Sequence, residues 1–370
     1  MDPITQQVVL AAAGTSAAAD ATYVDDVFST FLYEGTGSAR TITNGIDLSG
    51  EGGLVWVKSR TNSEYHALAD TERGANKILY SNEDDVESTT NTNIITGFSS
   101  NGFSVGTDNM SNSSLQDYVS WAFRKAPGFF DVVTYTGTGS AQNINHSLGS
   151  APGMILIKLI DGQHDWRVYH RSLGATERLC LNDNSQIATQ TAEFNGTEPT
   201  SSVFTVGTSN NVNQNGKNYV AYLFAHDDAR FGANEDESII KCGTYEGNSG
   251  TQEIDLGFEL QFLLLKRADN SDDWFMVDNM RGLPKLQAVY PNKTNGEQGW
   301  GDTYMTFTST GFKLHTQNSM FNNQEKYIYM AIRRPHKPPT AGTDVFKAVQ
   351  TSSQPFSVGF PTDLHINTWT

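Results

Sequence analysis

The sequence predicts an all-β protein: a tandem array of about three β-sandwich, jelly-roll-like domains behind a short helical or extended N-terminal segment. Two observations predict it. A short apolar run ending in lysine occurs three times, as Gly53-Leu-Val-Trp-Val-Lys58, Gly153-Met-Ile-Leu-Ile-Lys158 and Gln261-Phe-Leu-Leu-Leu-Lys266, with the lysines 100 and 108 residues apart. Each run sits in a longer shared frame, which marks a repeated structural unit. The rest of the chain consists of short apolar stretches between Gly, Asn and Ser turns, with no sustained 3.6-residue period, a pattern that suits strands and excludes a helical fold.

Each repeat opens on a tyrosine with a glycine two residues later: Tyr33/Gly35, Tyr135/Gly137 and Tyr245/Gly247. The lysine run follows, then an aromatic strand (Tyr65-His-Ala-Leu, Trp166-Arg-Val-Tyr-His170, Trp274-Phe-Met-Val) and a turn with a basic residue and glycine (Arg73-Gly74, Arg171 to Gly174, Arg281-Gly282). Late in each copy come Phe103-Ser-Val-Gly-Thr107, Phe204-Thr-Val-Gly-Thr208 and Phe312-Lys-Leu-His-Thr316. A closing strand starts at Tyr118, Tyr219 or Tyr327. In Tyr118-Val-Ser-Trp-Ala-Phe123, period two puts Tyr118, Ser120 and Ala122 on one face and Val119, Trp121 and Phe123 on the other, which predicts a half-buried antiparallel strand. The repeats run from 28 to 127, 128 to 232 and 233 to 337. Val345-Phe-Lys-Ala-Val349 matches Ile239-Ile-Lys-Cys-Gly243, so residues 338–370 read as a linker and the start of a fourth repeat, and the chain as a fragment of a longer protein.

A net charge of −16 argues against nucleic acid and anionic membrane surfaces, because phosphate binding needs a basic face. No apolar run reaches the roughly 18 residues of a membrane span. Cys180 and Cys242 have no counterparts in the other repeats, so they read as core thiols, with neither a repeated disulfide nor a cysteine metal site expected.

No catalytic signature is present: Gly-x-Ser-x-Gly, HExxH, P-loop and Rossmann glycines are all missing. Carboxylate clusters (Glu83-Asp84-Asp85, Asp161/Asp165, Asp269/Asp272/Asp273 and Asp227-Asp228) could do acid–base work on a glycoside, yet they sit in turn-like polar segments and do not recur in register across the three copies, so they read as solvated turn charges. A non-enzymatic chain without a cofactor is expected. One alternative is a calcium ion on Asp269, Asn270, Asp272 and Asp273, since oxygen ligands on one loop suit that cation. His164, His170 and His226 lack counterparts in all copies and read as coincidental; Lys58, Lys158 and Lys266 read as the points where each strand leaves the core. Trp300, in a Gly-rich loop outside the frame, is the candidate exposed stacking surface for a glycan. The apolar lead-in supplies candidate attachment residues Ile4, Val8, Val9, Leu10, Tyr23 and Val27.

The stretches Tyr135-Thr-Gly-Thr-Gly-Ser-Ala-Gln, Leu148-Gly-Ser-Ala-Pro-Gly-Met-Ile-Leu-Ile-Lys158, Trp166-Arg-Val-Tyr-His-Arg-Ser-Leu-Gly174 and Tyr219-Val-Ala-Tyr-Leu-Phe-Ala-His226 resemble the repeated β-sandwich domain of tail-fibre-like virion proteins of marine bacteriophages, cyanophages included. The lead-in Tyr23-Val-Asp-Asp-Val-Phe-Ser-Thr-Phe-Leu-Tyr33 is similar to theirs. The resemblance implies a structural appendage of the virion, extracellular after release. Its N-terminal segment would join other tail proteins and its distal part would meet a host polysaccharide or protein, commonly as a homotrimer. A capsid decoration or head fibre that binds glycans, and a polysaccharide depolymerase, are the alternative readings.

Overall fold

The computed structural model describes residues 21–282, 286–300 and 304–338. The all-β expectation holds: a single helical turn, Val24–Val27, leads into strands, and two further helical turns lie in repeat two. In repeat one the closing strand Asp117–Arg124 lies between the opening strand Phe28–Glu34 and the lysine strand Gly53–Ser59, and the sheet continues through Ala67–Asp70 to Leu79–Tyr80. A second, smaller sheet of Arg40–Thr43, Gly102–Val105 and Ile95–Ser99 packs against it. Repeats two and three keep the order. Their opening strands are Phe130–Thr136 and Ile240–Glu246, their closing strands Asn218–Phe224 and Lys326–Arg333, and their lysine strands Met154–Leu159 and Leu260–Arg267.

The Tyr-x-Gly opening is explained by packing. Tyr33, Tyr135 and Tyr245 stack on Tyr118, Tyr219 and Tyr327, with ring centroids 5.3, 5.2 and 5.1 Å apart. The opening hydroxyls donate to the carbonyls of Ser111, Val212 and Phe321. Two residues on, a Cβ at Gly35, Gly137 or Gly247 would overlap the carbonyl oxygen of Ser113, Gln214 or Asn323, so the close approach of these two backbones requires glycine.

The closing strand is not half-buried. Tyr118 to Phe123 are all buried, and the lysine strands are buried from end to end. The two faces predicted by period two exist but both are covered. Tyr118 and Ala122, with Val55, Val57, Ala67 and Ala69, face repeat one's own small sheet. Val119, Trp121 and Phe123, with Leu54, Trp56 and Leu68, face a core shared with the other repeats. Repeat three divides the same way, with Leu263, Leu265 and Tyr327 inside and Phe262, Leu264 and Met330 in the shared core. The Phe123 ring touches both Phe224 and Phe262, at 5.5 and 6.2 Å.

Through this shared core repeat three meets repeat one as well as its sequence neighbour, repeat two. The described residues between 21 and 335 form one compact unit, and repeat three closes back on repeat one through Arg60 with Glu297 and Trp121 with Asp278. One backbone hydrogen bond recurs around the cycle: Glu87 N–H to Ile160 O (2.9 Å), Ile187 N–H to Ala268 O (2.7 Å) and Glu297 N–H to Arg60 O (2.6 Å). The lead-in belongs to the same core. Val24, Val27 and Phe28 are buried in it, and Thr22 O accepts from Gly232 N–H at the end of repeat two.

Gly137→Ala should destabilise the chain by about 2–3 kcal/mol in denaturant titration, because the new methyl meets a backbone carbonyl that has no room to move. Gly216→Ala, which meets open space but keeps a φ of +74°, should lose only about 1 kcal/mol.

Candidate functional site

The recurring polar residues converge on the three junctions between repeats. His66, Trp166 and Trp274 each precede the strand that follows the lysine turn, and each backbone N–H is held by the side chain of Asn82, Asn182 or Asn292 at 2.9, 2.9 and 3.1 Å. The frame position of the tryptophans in repeat one is therefore His66; Tyr65 is one residue off and stays exposed, its ring tilted against Tyr80. Each indole reaches back to the previous repeat: Trp166 Nε1 to Tyr80 O at 2.8 Å, Trp274 Nε1 to Cys180 O at 2.7 Å. His66 occupies the equivalent place beside the Tyr290 backbone.

The lysines do not leave the core. Lys58, Lys158 and Lys266 are fully buried. Lys158 Nζ donates to Leu159 O and to Asp84 O of repeat one, and Lys266 Nζ to Arg267 O and to Asn184 O of repeat two. Lys58 caps Ser59 O and Asn62 O within its own turn. Burial pulls their pKa values down to about 7 for Lys58 and about 8 for Lys158 and Lys266. An ammonium here serves carbonyls that would otherwise be buried without donors.

The junction of repeats one and two holds a charged group. Arg73 binds Asp70 (2.6 Å) and Glu87 (2.8 Å), and the Tyr222 hydroxyl of repeat two donates to Asp70 and accepts from Arg73. The junction of three and one repeats it: Arg281 binds Asp278 (2.7 Å), Trp121 Nε1 donates to Asp278, and the guanidinium lies over the Trp121 ring. Glu297 takes the place of Glu87 and pairs with Arg60 at 2.6 Å. At the junction of two and three the same frame positions are His170, Leu173 and Ile187, and the closing-strand partner is Met330. Met330 offers no hydrogen-bonding group of the kind that Tyr222 and Trp121 provide, and the buried ion pair is absent with it.

A second recurring residue ties the loops at the tyrosine end. Asn112, Asn213 and Asn322 are fully buried. Their amides donate to Ser38 O and Gly106 O, Ser140 O and Gly207 O, and Gly250 O and Thr316 O. Their carbonyl oxygens accept from the backbone of Thr36, Thr138 and Asn248. Sequence analysis missed them, although an asparagine five or six residues before each closing tyrosine was the available signal.

The sequence candidates do not assemble into one site. Ile4, Val8, Val9 and Leu10 lie outside the described residues. Tyr23 and Val27 are buried in the chain's own core at 4% and 0% exposure, so neither presents a surface for a partner. Trp300 is not an exposed platform: its Nε1 donates to Tyr290 Oη at 2.8 Å, and its ring meets Phe275, Tyr304 and Phe321 edge-on. The calcium candidates point to donors of the chain. Asp269 accepts from Lys326 N–H, Asn270 Oδ1 accepts from Ser271 N–H, Asp272 faces Arg267 and Asp273 binds Lys293. His170 and His226 both lie at the junction of repeats two and three, while His164 donates its backbone N–H to Asp84 O.

Asp165, Cys180 and Asp183 come within 4.8 Å of one another. Burial pushes the Cys180 thiol up to about 11, although Arg167 and Arg178 oppose this, and both guanidiniums donate to its sulfur at 2.7 and 2.9 Å. A protonated thiol facing two cations is a poor metal ligand. An open cleft of about 300 Å³ is lined by Glu72, Lys125, Asp131 and His146. Its two carboxylates both pair with Lys125, at 2.7 and 3.4 Å. Among the described residues no helix is long and apolar enough to cross a membrane.

Arg73→Leu should destabilise the chain by about 3–5 kcal/mol, since Asp70 is left charged and buried. Asp70→Asn added to Arg73→Leu should recover part of that loss in the same denaturant titration, because no unpaired charge remains.

A family model described as Domain of unknown function (DUF7483) matches residues 24–335, from the helical turn to the end of repeat three. A search of curated proteins finds no match to the chain.

Proposed function

The chain belongs to the DUF7483 family, and we propose that it is a structural virion protein, a tail fibre joined through its N-terminal segment and working by adhesion to the host surface. The observation that carries this reading is the direction of the recurring residues. The stacked tyrosines, buried asparagines, lysines and junction groups are all turned inward and bonded to the chain itself. What the three repeats share is packing. A depolymerase calls for a carboxylate pair free to act beside an aromatic groove, whereas the cleft carboxylates are held by Lys125.

The resemblance to tail-fibre-like phage proteins supports the location in a virion and a polysaccharide or protein of the host envelope as partner. The same resemblance supports a homotrimer as the assembled form. With Tyr23 and Val27 committed to the core, attachment falls to residues 1–20, Ile4, Val8, Val9 and Leu10 included.

Immunogold labelling of purified virions with an antibody to repeat two should mark the tail or its fibres. Label over the capsid would move the protein to a decoration or head fibre, and unlabelled particles would overturn the virion reading. Deleting residues 1–20 should abolish incorporation into particles and leave the denaturation midpoint of the isolated protein unchanged.

A further inference from the structure

Two buried histidines, His66 and His170, and the half-buried His226 hold the contacts of repeat three. His170 of repeat two donates from Nε2 to Tyr329 O (3.2 Å) and accepts at Nδ1 from Ser172 N–H (3.2 Å). His226, at the passage from repeat two to three, accepts at Nδ1 from Cys242 N–H (3.1 Å). His66 of repeat one accepts at Nδ1 from Trp56 Nε1 (2.9 Å) and faces the Tyr290 backbone of repeat three. In each ring the acceptor nitrogen is bonded to an N–H group, so each ring is neutral. A proton added there turns the acceptor into a donor aimed at another donor. At the junction of repeats one and two the contacts are made by Trp166, by Asp70 with Arg73, and by the Tyr222 hydroxyl; the buried His146 of repeat two accepts at Nδ1 from Leu148 N–H (3.3 Å) and faces Asp131 and the Thr200 backbone, all within its own repeat.

We propose that repeat three is an acid-released latch: as the medium turns acidic its contacts with repeats one and two open, while repeats one and two stay joined.

The surroundings favour this direction. Burial, then Arg171 and His226, hold His170 at about 4 against the Tyr329 backbone, which raises it. Burial, Arg171 and Lys241 hold His226 at about 4, with Asp227 opposing. Burial, Lys58 and Arg281 keep His66 well below its ordinary value, with the Tyr290 backbone opposing. Between the ordinary value of 6.5 and about 4, the released histidines take up protons and the packed ones do not. The stability they contribute is complete above 6.5 and is lost as pH falls through that window.

Hydrogen–deuterium exchange of the full chain, corrected for the intrinsic pH dependence of exchange, tests this. Between about pH 7.5 and pH 5, amides of Phe275–Asp278 and Lys326–Arg333 should lose protection by about tenfold or more, and those of Asn218–Phe224 and Leu79–Tyr80 should keep theirs within about twofold. Equal loss at all three junctions, or full protection of repeat three at about pH 4.5, overturns the proposal. In the His66→Gln/His170→Gln variant the midpoint of the loss should move down by about one pH unit, and an unchanged midpoint overturns it. If that variant does not fold at neutral pH, the pattern in the natural chain decides alone.

Discussion

Everything in this structure depends on covering the second face of each main sheet. A β-sandwich with one face on its own small sheet can leave the other in water if that face is polar. Here it carries Leu54, Trp56, Trp121 and Phe123 in repeat one and Phe262, Leu264, Met330 and Ile332 in repeat three. Each such side chain gains about 1.5–3 kcal/mol when it leaves water. A lone repeat would expose an apolar surface larger than soluble domains tolerate. Three repeats packed round Phe123, Phe224 and Phe262 remove that surface together, and the family match spans all three.

Closing the cycle places polar groups where water does not reach, and the chain meets this demand with one device per level. Lysine ammonium groups serve turn carbonyls, asparagine amides tie loop backbones, and indoles reach across to the previous repeat. The ion pairs follow their partners. Asp70–Arg73 and Asp278–Arg281 occur where the facing residue is Tyr222 or Trp121, and give way to His170 and Leu173 where it is Met330. A buried charge persists only where another group completes its bonding. The three junctions are thus equivalent in backbone, and the junction of repeats two and three differs in chemistry from the other two.

Several candidates misled because their local patterns are those of a surface. A lysine ending an apolar strand ordinarily marks an exit to solvent, and Lys158 would do so if the Asp84 turn of repeat one were not there. Trp300 sits among glycines, yet Tyr290 and Phe321 enclose it. Tyr23 and Val27 lie beside an apolar tail, yet the Val24–Val27 turn docks into the shared core. In each case the covering group comes from a part of the chain that local sequence does not indicate.

The sequence by itself determined the strands, the three repeats, the two faces of the closing strand and the glycines that follow the opening tyrosines. These are short-range properties, written in period two and in the steric needs of one backbone. Only the tertiary structure decided that both faces are buried, that repeat three returns to repeat one, and that His66 stands where the other repeats place tryptophan. Those outcomes rest on contacts between residues one or two hundred positions apart, such as Glu297 with Arg60 and Trp121 with Asp278. Hydrophobic pattern states that a face must be covered; it does not name the surface that covers it.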